Sequence, residues 1–159
     1  MTEISMKGIQ VGDPAPDVNI ATRAGEQLRL ADFQQQKVVV LFFYPKDNTS
    51  VCTREACAFR DAYEDFVAAG TVVIGISSDS ADSHHAFATR HNLPFYLGSD
   101  EDGSLRRAFG VPKTLGLLPG RVTYVIDRKG IVRLMFSAPL AANRHVTEAL
   151  ETVRRLAGK

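Results

Sequence analysis

The chain has 159 residues, 45% of them apolar, with nineteen basic against eighteen acidic side chains and a formal net charge of +1. That length suits one domain able to bury roughly 70% of its unfolded surface, and a balanced charge with no basic block gives no reason to expect nucleic acid or a membrane as partner. The apolar runs are too short to span a bilayer, "MTEISMKGIQ" lacks the apolar core and cleavage site of an export signal, and two cysteines are too few for a disulfide-stapled scaffold, so a single cytoplasmic domain over residues 1–159 is expected.

The opening "VGDPAPDVNI" reads as an extended entry segment punctuated by Pro14 and Pro16, followed by a hairpin around Ala24-Gly25. Three apolar runs, 38–44, 71–77 and 121–127, are expected to be buried and mostly parallel strands, because both of their faces are apolar. A helix is expected after Val51, with Ala56, Phe59, Tyr63, Phe66 and Val67 inward. "SADSHHAFATRHN" and "DEDGSLRRAFG" read as two further helices, with "SSDS" as cap and turn before the first. "DRKG" is a turn into an antiparallel edge strand, "IVRLMFS". A last helix is capped by Asn143 and buries Val146, Ala149, Leu150, Val153 and Leu156. This succession predicts an α/β, thioredoxin-like fold: a central mixed sheet flanked by helices, with an N-terminal β-hairpin extension.

Both cysteines fall in the first of these helices. With Thr49 or Ser50 as cap, Cys52 lies in the first turn, where unpaired N–H groups and the positive dipole end favour a thiolate. Cys57 lies more than one turn deeper. Residues five apart on a regular helix are separated by ~8.6 Å between Cα atoms, whereas a disulfide needs less than ~7 Å. The two sulfurs can bond only if the first turn unwinds. His84, His85 and His91 read as a solvated helix face rather than metal ligands, and no metal or cofactor is expected.

Pro45, Thr49 and Cys52 in "PKDNTSVC" match the P-x-x-x-T-x-x-C motif of peroxiredoxins. The surrounding "YPKDNTSVCTREACAFRD" resembles the bacterioferritin-comigratory, or Q-type, branch. The resemblance extends over most of the chain through "GDPAPD", "VIGISSDS" and "LPFYLGSDEDGSLRRAFGV", and Arg121 matches the position of the family's second active-site arginine. It implies a peroxidase in which Cys52 attacks a peroxide and becomes a sulfenic acid. Cys57 then resolves it as a disulfide, and a thioredoxin- or glutaredoxin-like dithiol reduces the pair. It further implies that Thr49 hydrogen-bonds at the thiolate and peroxide, that Arg121 supplies charge and donors, that Pro45 shields the site, and that Glu55 could orient Arg121. A monomer is expected. The branch commonly has Pro-Gly where this chain has Ser50-Val51.

Acidity alone would not make such an enzyme. Lowering a thiol pKa from ~8.5 to ~6 raises the thiolate fraction at neutral pH roughly 30-fold. The accompanying loss of nucleophilicity takes back roughly 13-fold. The rest must come from donors aimed at the departing oxygen. Two other classes fit part of the pattern. A thiol–disulfide oxidoreductase would normally carry C-x-x-C, and a copper-binding module would leave Thr49 and Arg121 unexplained and set a positive charge beside a cation.

Overall fold

The computed structural model describes residues 8–112 and 120–158, so the N-terminal reading of residues 1–7 lies outside it. Seven strands form one sheet: β1 (Asn19–Thr22), β2 (Gln27–Arg29), β3 (Val38–Phe43), β4 (Thr71–Ser77), β5 (Tyr96–Ser99), β6 (Val122–Ile126) and β7 (Val132–Ser137). Their order is β2-β1-β5-β4-β3-β6-β7. The helices are α1 (Ser50–Asp61), α2 (Tyr63–Ala68), α3 (Ala81–His91), α4 (Ser104–Phe109) and α5 (Ala142–Ala157), with a 3-10 turn at Leu30–Phe33. None of the described helices is long and apolar enough to cross a membrane.

β3 is the strand the sequence makes most apolar, and it lies inside the sheet with all six residues buried. Its alternate side chains feed two cores. Val38, Val40 and Phe42 pack with Ala56 and Phe59 of α1, Phe66 of α2, Phe87 of α3 and Val146, Ala149 and Val153 of α5. Val39, Leu41 and Phe43 pack with Leu105 and Phe109 of α4 and with Ile20 of the N-terminal hairpin. The Phe42 and Phe59 rings stack at 4.3 Å between centroids and tie α1 to the sheet. Gly98 in β5 is required by a close approach: a Cβ there would collide with Ile20 Cγ2.

Several expectations are corrected. β3, β4 and β5 are parallel, but the third apolar run, β6, is antiparallel to β3. Apolarity on both faces reports burial, and it says nothing about strand direction. β5 carries no strand signal in the sequence, being only four residues long with a glycine inside. The helix after Val51 breaks at Ala62 into α1 and α2, and the break leaves Val67 exposed. α5 starts at Ala142, so Asn143 lies inside its first turn and does not cap it. Leu150 and Leu156 of its stripe are half-buried.

Candidate active site

β6 runs antiparallel to β3 with Val122 opposite Phe43, so the residue before β6 stands beside the point where β3 delivers the chain to α1. That residue is Arg121. The loop over residues 45–49 turns through Asn48, whose φ of 63° lies in the left-handed region that asparagine tolerates. α1 then begins at Ser50, with Cys52 buried in its first turn and Cys57 half-buried further along the same unbroken helix. Both thiols are free.

Arg121, 5% exposed, uses every arm of its guanidinium. Nη2 donates to Cys52 Sγ at 3.2 Å, Nη1 donates to Glu55 Oε1 at 2.5 Å, and Nε donates to the Pro139 carbonyl at 2.9 Å. Burial works against its charge, but Glu55 and Cys52 outweigh burial and hold the guanidinium above its ordinary pKa. Glu55 is wholly buried one turn after Cys52. Burial, opposed by the Arg121 charge, pushes its carboxyl up to about 7.

The remaining sequence-predicted residues are placed less directly. Thr49 is the N-cap residue of α1 by backbone geometry, yet its side chain caps nothing. Its hydroxyl donates back to the Lys46 carbonyl at 2.8 Å, which leaves its oxygen to accept a hydrogen bond from outside. Pro45 is half-buried at the start of the loop. Ser50 is exposed and Val51 half-buried, so the dipeptide that replaces Pro-Gly lies at the surface end of the helix.

Four polar residues around this centre were not singled out from the sequence as site components. Arg106 of α4 donates to the carbonyls of Tyr44 at 2.8 Å and Gly120 at 3.1 Å, and its guanidinium lies over the Phe43 ring. Those carbonyls belong to the residues just before Pro45 and Arg121, so one side chain clamps both segments that carry the site. Asp47, inside the loop, accepts from the Tyr44 hydroxyl at 2.6 Å, the Ser83 hydroxyl at 2.8 Å and His84 Nδ1 at 2.8 Å. His84 is therefore buried in a network, where a solvated face was expected. Its spacing with Phe87 and Ala88 on the buried side of α3 was the available signal. His145 of α5 is also wholly buried, with Nδ1 3.6 Å from Glu55 Oε2. Burial first, with the Arg121 and Arg144 charges adding to it, lowers its pKa to about 4 against the Ala138 hydrogen bond, so the ring is neutral.

The arrangement can stabilise negative charge at a buried sulfur and on a leaving group expelled beside it, because preorganised donors act strongly in a dry site. Residues 11–135 match the AhpC/TSA family. The chain is 44% identical over 149 residues to "Peroxiredoxin Q, chloroplastic" of Populus jackii, covering 93% of this chain and 70% of the relative. The crystal structure of peroxidoxin BcpB from Mycobacterium tuberculosis superposes with a TM-score of 0.85 at 34% identity, covering 93% of this chain and 98% of that one. A bacterioferritin comigratory protein from Xanthomonas campestris, whose structure is described for its alkyl peroxide reduction activity, gives a TM-score of 0.81 at 28% identity over 94% of this chain and 98% of that one.

Proposed function

Because the chain belongs to the AhpC/TSA family and is a thiol-dependent peroxidase of the peroxiredoxin Q kind, we propose that it reduces hydrogen peroxide and organic hydroperoxides through Cys52, with Cys57 as resolving thiol. The observation that carries this reading is the fork of Arg121, one arm on Cys52 Sγ and another on a buried Glu55. The Cys52 thiolate attacks the terminal peroxide oxygen. An S–O bond forms, the O–O bond breaks, and the departing alkoxide or hydroxide takes a proton to leave as alcohol or water. Charge moves from sulfur to the leaving oxygen, and Arg121 faces both ends of that movement. Thr49 accepts the peroxide proton's hydrogen bond, and Pro45 limits water at the loop.

Cys57 then attacks the sulfenic sulfur, an S–S bond forms and water leaves. Both thiols sit in one intact helix, so this step requires the first turn of α1 to unwind. A thioredoxin- or glutaredoxin-like dithiol supplies the two electrons and two protons that restore the free cysteines. We place this cycle in a monomer working in the cytoplasm, where such reductants keep thiols reduced.

The test is intact mass against time after one equivalent of hydrogen peroxide. Wild type loses two hydrogens within seconds, and peptide mapping finds Cys52 joined to Cys57. Cys57→Ser instead retains one added oxygen, trapped by a sulfenic-acid reagent. An unchanged mass in wild type would sink the peroxidase reading of Cys52, whereas a lasting added oxygen in wild type would remove Cys57 from the cycle.

A further inference from the structure

Glu55 spends one carboxyl oxygen on Arg121. The other, Oε2, is buried with no hydrogen-bond partner among the described residues, and His145 Nδ1 lies 3.6 Å away. A carboxylate oxygen held in a dry site without a donor is costly. The orientation of the imidazole makes this worse for an anion. His145 Nε2 must carry a proton, because it meets the Ala138 carbonyl at 2.8 Å and a carbonyl can only accept. The neutral ring therefore presents a lone pair at Nδ1, which receives the Thr123 hydroxyl at 2.8 Å. An ionised Oε2 would face that lone pair.

We propose that Glu55 keeps a proton on Oε2, where the His145 ring presents only an electron-rich Nδ1 and no donor, making His145 a positioning residue that sets the charge Arg121 presents to Cys52. The charges acting around this proton are Arg121, just before β6, and Arg144, in the first turn of α5; Thr123 of β6 holds Nδ1, and Cys52 of α1 lies on another arm of Arg121. Arg106 of α4 adds its field at Cys52. With the proton in place, Glu55, His145 and Arg121 carry a net positive charge against the thiolate. Without it, Glu55 cancels Arg121 and the thiolate stands alone. The proton and the thiolate therefore stabilise each other, and each is held more weakly when the other is lost. Ordinary first-turn placement of a glutamate would put a negative charge beside the nucleophile; the buried histidine removes that conflict.

The inference rests on Cys52 being the reacting thiol, but its test needs no peroxide. Infrared spectra of the reduced protein should show a protonated carboxyl C=O stretch at slightly acid pH that is missing in Glu55→Gln. In wild type that band should titrate away near neutrality, since the carboxyl sits at about 7. In Cys52→Ser it should vanish at lower pH, because the thiolate no longer holds the proton. His145→Gln, whose amide can offer Oε2 an N–H, should move the inflection to lower pH, whereas His145→Phe, which offers only an apolar edge, should not lower it. Absence of a Glu55-dependent acid band overturns the proposal, as does an inflection that His145→Gln leaves in place or His145→Phe lowers. If peroxide proves inert while these shifts are seen, the peroxidase reading fails and the Glu55 proton stands.

Discussion

Replacing Arg121 by lysine is expected to slow peroxide reduction by about 10²–10³-fold, the loss typical of removing one preorganised donor from a developing oxyanion. Lysine keeps the positive charge, so the comparison isolates geometry. Its single ammonium cannot reach Cys52, Glu55 and the Pro139 carbonyl together, as the three arms of the guanidinium do. Glu55 then loses its partner inside the core, and its carboxyl is left to neutralise by protonation. Alkylation by iodoacetamide should fall far less, because that reaction expels no oxygen needing Arg121. Single-turnover stopped-flow with peroxide, set beside alkylation at the same pH, reads the two effects. A peroxide rate within threefold of wild type would mean that charge, not the fork, is what the site uses.

Asp47→Ala should destabilise the fold by about 3–5 kcal/mol, as expected when a buried carboxylate is removed from partners that keep their polar groups. Three donors lose their acceptor at once: the Tyr44 hydroxyl, the Ser83 hydroxyl and His84 Nδ1. Tyr44 is the last buried residue before the active-site loop, and Asp47 is further tied to Asp79 through its backbone N–H at 2.7 Å. At about 2–4 °C per kcal/mol for a chain of this size, the melting temperature should drop by roughly 6–20 °C. Asp47→Asn retains an acceptor for Tyr44 and should lose clearly less. Denaturant midpoints for both variants check this, and equal stability of Asp47→Ala and wild type would mean that the loop does not depend on the network.

The sheet was legible because β3, β4 and β6 are continuous apolar runs, and long β-branched stretches bounded by turns leave few alternatives. Direction was not legible for β6, since buried strands look alike whichever way they run. At the site, the sequence pointed to Cys52, Thr49, Pro45 and Arg121 through a motif and a matching position, and to Glu55 through the same resemblance; the structure brings Cys52, Arg121 and Glu55 together. Arg106 and Arg107 are adjacent in one short helix, and nothing local says which of them turns inward to clamp two carbonyls while the other stays exposed. His145 precedes Val146, the first residue of the α5 stripe that was read. Its importance comes from Glu55, ninety residues earlier in the chain, and only tertiary packing brings the two together.

The single helix that carries both cysteines sets thermostability against durability. On the proposed route the sulfenic acid waits for α1 to open, and a second peroxide can convert it to the irreversible sulfinic acid during that wait. Every ~1.4 kcal/mol added to the first turn of α1 makes the open form tenfold rarer and lengthens the wait in proportion. A variant engineered to melt later by tightening residues 50–53 would thus be inactivated at lower peroxide concentrations. A sturdier helix would make a shorter-lived catalyst.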